Sequence, residues 1–289
     1  MGICDNRTVI ITGAGAGLGR EHALAFAAEG ANVVINDIKR EAAEAGATEI
    51  GAKALANADD ITSMAGAQKI VDAAVAKFGE VHVIVNNAGI VRDRMFVSLS
   101  EEDWDAVIRV HLRGHFCITQ ILARRWRDQA KAGQKPDARI INTSSGAGLQ
   151  GSVGQTNYGA AKAGIATLTI IQAAELGRYG ITANAIAPAA RTGMTEPVFG
   201  SVMKKPEDGS FDFFDPANVA PLVVWLGSPL SAQVTGRVFE VAGGQVSVAD
   251  GWRTGPMQDK KARWQPEELT DAVNAILKEA VPPQKVYGT

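Results

Sequence analysis

The sequence predicts an α/β protein built on one doubly wound parallel sheet, and three observations carry that expectation. Short, β-branched apolar runs alternate with longer helix-forming stretches from Arg7 to about Asp250. A glycine-dense turn lies directly between the first apolar run and the first helical stretch. Glycine occupies 31 of 289 positions, above its usual share of about 7%, which suits tight turns and close helix–sheet contact.

The elements follow in order. Thr8 to Ile11 is expected as a strand ending in the turn Thr12 to Gly19, with a helix from Arg20 to Glu29 behind it. Val33 to Ile35 forms the second strand, closed by Asn36-Asp37, and an Ala/Glu-rich stretch to about Gly51 the second helix. Further strands are expected at Lys53 to Ala56, Val81 to Val85, Arg139 to Ile141, Ile181 to Ile186 and Val238 to Val241. Strands joined by crossovers this long pair in parallel and are covered on both faces. Ser100 before Glu101, Glu102 and Asp103 reads as an N-cap with acids in the first turn, so a long helix, with an interruption, should run from Glu101 toward Ala130. Its apolar positions, among them Trp104, Val107, Phe116 and Leu122, spread over more than one face. Core packing and an oligomer surface both stay open.

Two stretches depart from this rhythm. Arg191 to Asp215 is long, mixed in charge and rich in Met194, Phe199, Met203, Phe211, Phe213 and Phe214, as expected of a functional loop. In the tail, Pro266-Glu267-Glu268 opens a helical segment whose stripe of Leu269, Val273, Ile276 and Leu277 needs a surface to pack on.

Composition excludes several classes of function. Lys+Arg 29 against Asp+Glu 31 leave a net charge of −2, so no basic surface for a nucleic-acid backbone is expected. Cys4 and Cys117 are too few for a disulfide framework or thiolate metal site and point to a reducing compartment. His22, His82 and His115 have no clustered partners, so no metal is expected. A charged leader and a spanning apolar run are both missing, so a cytoplasmic protein without membrane association is expected.

The chemistry concentrates in a few motifs. In Thr12-Gly13-Ala14-Gly15-Ala16-Gly17-Leu18-Gly19, glycines let the backbone approach a pyrophosphate while the helix start offers its N–H groups. Asp37, ending the second strand, can accept from both ribose hydroxyls and would repel a 2′-phosphate, which favours NAD over NADP. Lys39 and Arg40 partly offset that charge, and a solvated loop acid is the plainer alternative. Tyr158 and Lys162 share one helix face. A phenol beside an ammonium could move from its usual pKa toward neutrality and exchange a proton with a hydroxyl. Ser145, after the Arg139 to Asn142 run, could donate to the substrate oxygen, with Ser144 facing the opposite way.

Taken together, Thr12 to Gly19, Asp60-Ile61, Asn86-Asn87-Ala88-Gly89, Ser145, Tyr158 and Lys162, in this order, resemble the short-chain dehydrogenase/reductase family. The resemblance implies a Rossmann-like fold of about seven strands, with an NAD-binding domain over 1–250 and a C-terminal tail over 251–289. It also implies hydride transfer between a nicotinamide and a carbinol or carbonyl carbon. Carried over, it makes Tyr158 the general acid/base, Lys162 its partner and nicotinamide-ribose holder, and Ser145 the substrate-oxygen donor. Asp60 with Ile61 would meet the adenine, Asn86, Ala88 and Gly89 the adenosine side, and Pro188 to Thr192, including Arg191, the carboxamide.

Two departures stand out. His111 occupies a place where most of the family has asparagine, whose main-chain carbonyl holds a relay water, so His111 joins the candidate catalytic residues. The usual Pro-Gly reads Pro188-Ala189. With Ile90-Val91-Arg92-Asp93-Arg94 and Val219 to Leu226, these features look like the dehydrogenase unit of peroxisomal type 2 multifunctional enzymes. That branch implies NAD-dependent oxidation of 3-hydroxyacyl-CoA or hydroxysteroids by a homodimer or homotetramer. Arg92, Arg94 and Arg191 could then meet CoA phosphates, or simply form structural ion pairs. A 3-oxoacyl-carrier-protein or other carbonyl reductase is the alternative within the scaffold, and a non-catalytic NAD-binding regulatory or scaffold protein the alternative outside it.

Overall fold

The computed structural model describes residues 2–196, 200–249 and 251–289. Its strands are β1 (Thr8–Thr12), β2 (Asn32–Asn36), β3 (Ala54–Asn57), β4 (Val83–Asn86), β5 (Ala138–Thr143), β6 (Ile181–Pro188), β7 (Val238–Ala242) and β8 (Gln245–Val248). They form one eight-stranded sheet in the order β3-β2-β1-β4-β5-β6-β7-β8. The pairs from β3 to β7 are parallel, as expected.

The count of about seven strands needs one correction. β8 folds back antiparallel on β7 through Gly243-Gly244, with Gly243 at φ 53°. Its four residues, Gln-Val-Ser-Val, are all exposed, and a segment without a buried face leaves no apolar run to read.

Strand periodicity sorts the core. Val9, Ile11, Val33, Ile35, Val83 and Val85 face one layer, where Phe26, Val223 and Leu226 cover them. The intervening Ile10, Val34 and Ile84 face the other, against Ile70, Ile118, Leu122 and Trp126. Such alternation between two apolar layers is what a doubly covered parallel sheet demands. The first layer is built by α1 (Gly17–Ala28) and α8 (Ala220–Gly227), the second by α3 (Met64–Phe78) and α5 (Gly114–Lys131). The remaining helices are α2 (Arg40–Ile50), α4 (Glu101–Ile108), α6 (Gly146–Gln150), α7 (Thr156–Leu176) and α9 (Leu269–Glu279).

The expected helix from Glu101 is capped by Ser100, whose hydroxyl accepts from the Asp103 N–H at 3.1 Å. Its interruption is a π-helical turn at Arg109–Arg113 between α4 and α5. Val107 and Leu122 enter the core, while Trp104 and Phe116 stay exposed. Among the described residues the tail stripe finds little of the packing surface expected of it: Leu269, Val273 and Leu277 remain exposed and Ile276 is only partly buried. Phe199 and the boundary residue Asp250 lie outside the described residues. No helix among the described residues is long and apolar enough to cross a membrane.

β1 lies between β2 and β4, so the chain changes direction of growth there. The carboxyl ends of these strands therefore open into a crevice, the usual ligand position in such sheets.

Candidate active site

The first wall of the crevice is the glycine turn. Gly13 takes φ 62°, and a Cβ there would lie 2.7 Å from the Ala88 Cα, so the segment after β4 touches the turn directly. Asn87 locks that contact by donating from Nδ2 to the Thr12 and Gly13 carbonyls, both at 3.1 Å. The Thr12 hydroxyl accepts the Asn87 and Ala88 amides at 3.0 and 3.1 Å. At the start of α1, Ala16 provides no side-chain cap and the first turn, with Leu18 and Gly19, contains no acid. Its N–H groups are thus left for an anion, and the turn fits a pyrophosphate.

Asp37 is held at the end of β2. One carboxylate oxygen accepts from the Gly15 N–H at 3.0 Å and the other from the Lys39 N–H at 2.9 Å. A Cβ on Gly15 would come within 2.9 Å of that carboxylate. The acid is therefore fixed beside the turn, where it fits a ribose diol. Asp60 is oriented by Thr62, whose N–H and hydroxyl each donate to it at 2.8 Å, with Arg109 3.5 Å away. Ile61 is buried, and a Cβ on Gly114 would come 2.7 Å from its Cδ1, so its side chain serves the core. Asn86 is turned inward too, donating to Thr119 at 2.8 Å and Asn142 at 2.9 Å; only its main chain is left to face the crevice.

The opposite wall begins at Pro188. Ala189 donates its N–H to the Val241 carbonyl at 2.9 Å, and the described non-glycine residues with positive φ are only Asn6 and Lys261. Alanine after Pro188 is thus unstrained. Thr192 leans across the crevice, 3.6 Å from where a Gly17 Cβ would be. Arg191 is engaged inside its own loop: it pairs with Asp212 and donates to the Met203 carbonyl at 2.9 Å. Arg92 lies 3.7 Å from Asp103. Arg94 donates to the Asp93 carbonyl at 2.8 Å, so Arg92 and Arg191 have carboxylate partners and Arg94 a main-chain one. Phe213 packs where a Gly243 Cβ would be, so the β7–β8 turn supports the loop.

Between the walls, Ser145 stands close enough to Tyr158 for its hydroxyl to bear on the phenol. Ser145 also caps α6, accepting from the Ala147 N–H at 3.2 Å. Ser144 points away, donating to the Lys162 carbonyl at 2.8 Å. Lys162 is buried, and its Nζ donates to the Thr143 carbonyl at 2.6 Å while standing 5.4 Å from the Tyr158 ring centroid. His111 is buried against Gly89, where a Cβ would come 2.4 Å from its Cε1. Its Nε2 lies 2.8 Å from the Ile90 carbonyl oxygen and 3.1 Å from the Ile90 nitrogen.

The electrostatics correct one expectation. Burial pushes the Tyr158 phenol up, the neighbouring Ser145 hydroxyl opposes this, and Asp93 adds to it. Burial also brings Lys162 down to about 7. Spacing alone points to an ammonium acidifying a phenol, but burial raises the phenol and the Thr143 carbonyl takes the ammonium. Burial likewise brings His111 down to about 3, so it is a neutral imidazole at physiological pH. Two hydroxyls, Ser145 and Tyr158, converge where one substrate oxygen could sit.

A family model for short chain dehydrogenase matches residues 7–201. The chain belongs to the short-chain dehydrogenase family. It is 45% identical, over 99% of its length and 93% of the relative's, to hydroxyacyl-CoA dehydrogenase ChsB1 of Mycobacterium tuberculosis. It is 40% identical to the mouse peroxisomal multifunctional enzyme type 2 over 94% of this chain, which spans 37% of that larger protein. Among solved structures, a short chain dehydrogenase from Mycobacterium avium superposes with a TM-score of 0.92 at 55% identity, covering 100% of both chains. A 3-ketoacyl-(acyl-carrier-protein) reductase from Brucella melitensis complexed with NADH gives 0.75 at 31% identity, covering 83% of this chain and 98% of that one.

Sequence reasoning missed several residues of this short-chain dehydrogenase. Asn157, fully buried beside Tyr158, donates to the Arg92 carbonyl at 3.1 Å and the Asp103 carbonyl at 3.2 Å. It thereby ties the first turn of α7 to α4. Gln155 donates to Asp93 at 2.9 Å, which fixes the carboxylate that bears on Tyr158. The buried amide directly before the motif tyrosine was the available signal for Asn157. Tyr287, at the far end of the chain, lies against Gly146, and no short-range pattern marks that contact.

Proposed function

We propose that this short-chain dehydrogenase oxidises the hydroxyl of a 3-hydroxyacyl-CoA, or of a hydroxysteroid, with NAD as hydride acceptor. The neighbouring hydroxyls of Ser145 and Tyr158, with Lys162 one helical turn on from Tyr158 and the glycine turn across the crevice, carry this reading. Bound in the crevice, the nicotinamide supplies a two-electron acceptor at carbon. Ser145 holds the substrate oxygen, and Tyr158 exchanges the hydroxyl proton. Lys162, buried one helical turn from Tyr158, holds the nicotinamide ribose and favours the phenolate as the proton moves. His111, an uncharged imidazole, supports the Tyr158 ring. Asp37 selects an unphosphorylated ribose.

Similarity to ChsB1 and to the peroxisomal multifunctional enzyme supports the acyl-CoA substrate. Similarity to the carrier-protein reductase favours a second reading, reduction of a 3-oxoacyl thioester, with NADPH preference as its signature. The exposed Trp104, Phe116, Ile170 and Ile171 on α4, α5 and α7 support a homodimer or homotetramer. Two free, buried cysteines suit a cytoplasmic setting.

The test is NADH formation, followed optically, across 3-hydroxyacyl-CoA lengths and steroid alcohols. Turnover of one class, lowered by roughly two to four orders of magnitude in Tyr158→Phe, supports the proposal. Cofactor binding without oxidation of any of these alcohols sinks it.

A further inference from the structure

The end of the chain returns to the loop that carries Ser145. Tyr287 pairs with Ser152 in a single parallel bridge. Its N–H donates to the Gly151 carbonyl at 3.2 Å, and its carbonyl accepts from the Val153 N–H at 2.9 Å. Both surfaces are shaped for the contact. A Cβ on Gly146, the residue after Ser145, would lie 2.6 Å from the Tyr287 hydroxyl oxygen and 2.9 Å from its ring. One on Gly151 would meet the Val286 side chain at 3.4 Å. Two absent side chains, one at each end of the short helix α6, thus leave the space that two consecutive tail side chains occupy.

The phenol itself is a neutral group. Burial and the Glu240 carboxylate push it up, with the nearby Gln150 side chain opposing them. It is therefore no second base. With 44% of the residue exposed, part of Tyr287 remains uncovered beside Ser145.

The Ser145 and Tyr158 hydroxyls fix the substrate oxygen, so the two groups on the carbinol carbon must run to either side. One side is bounded by the segment that carries Thr192, and the other by α6 after Ser145 with the tail on it. We infer that Tyr287 is a specificity-determining residue, its ring forming the wall on the Ser145 side and limiting the width of the substrate group carried there. The inference rests on the secondary-alcohol reading above.

Width can be read as a ratio. In wild type, Tyr287→Phe, Tyr287→Ala and a chain lacking Val286–Thr289, kcat/KM is measured for a straight-chain 3-hydroxyacyl-CoA and for a ring-bearing steroid alcohol or branched 3-hydroxyacyl-CoA. Tyr287→Ala and the shortened chain should shift the ratio about tenfold toward the wide substrate. Tyr287→Phe, which keeps the ring, should hold the wild-type ratio. An unchanged ratio in active variants overturns the inference alone, as does an equal fall on both substrates accompanied by a lower Tm, the mark of a merely structural strap. Wild type that oxidises no alcohol overturns this inference together with the proposed function, and is seen before any variant is made.

Discussion

The imidazole of His111 stands edge-on to the phenol of Tyr158, with ring centroids 5.3 Å apart and planes at 85°. The same imidazole contacts Ile90, so one buried side chain joins the segment after β4 to Tyr158, the proposed proton-exchanging residue. His111→Ala removes both links. Its kcat should fall by roughly ten- to a hundredfold, as expected for a small misplacement of a reacting group, and truncation of a buried ring should cost about 3 kcal/mol. His111→Phe keeps the edge contact and should retain more kcat. Steady-state kinetics with thermal unfolding separate the two effects, and equal loss in both variants would argue against support by the ring.

Stability should fall in acid. Burial brings His22 and His111 from 6.5 to about 3, so between those values the unfolded chain binds more protons than the folded one. Stability therefore decreases as pH drops through that window. Lys162 acts with the same sign higher up: its fall from 10.5 to about 7 means its contribution grows as pH rises between the two. His22 offers the cleanest test, because neither ring nitrogen has a partner. In His22→Leu, Tm measured from neutral pH downward should decline less steeply than in wild type, and parallel curves would contradict the assignment.

Arg191 and Asp212 clasp the two ends of the 191–215 loop, with Arg191 also holding the Met203 carbonyl and its N–H bonded to the Phe214 carbonyl at 2.8 Å. Asp212→Asn should loosen the loop, raise KM for the substrate several-fold and leave kcat nearly intact. Faster proteolytic cleavage within 191–215 would accompany it. Unaltered cleavage and KM would mean the main-chain bonds suffice.

Asp37 is both a strand-end acid and the acceptor for the Gly15 amide. Asp37→Ser should cut the preference for NAD over NADP by at least about tenfold, since a carboxylate that repels a 2′-phosphate is lost. Titration of each cofactor by fluorescence checks this, and an unchanged preference would assign the selectivity elsewhere.

Much of this architecture was legible because parallel, doubly covered strands are continuous apolar runs, as in Val9-Ile10-Ile11 and Val83-Ile84-Val85. The glycine turn and the spacing of Tyr158 and Lys162 were equally plain. What escaped reading depends on contacts between distant residues. β8 has no buried face to show. Asn86 looked like a cofactor contact, yet its amide belongs to the layer between β4, α5 and β5. The direction of the Tyr158 shift follows from burial, which a four-residue spacing does not report. Arg191 found its partner at Asp212, a pairing no local periodicity encodes.

From β4 onward, each new strand docks beside the one made just before it, whereas β1, β2 and β3 are laid down in the opposite direction. On the ribosome, the sheet can therefore extend along a single advancing margin once β4 has joined β1, with every later crossover landing on hydrogen-bonding groups already in place. The antiparallel return of β8 reverses that advance and ends it. The last margin to form is a short hairpin arm rather than another parallel strand awaiting a neighbour.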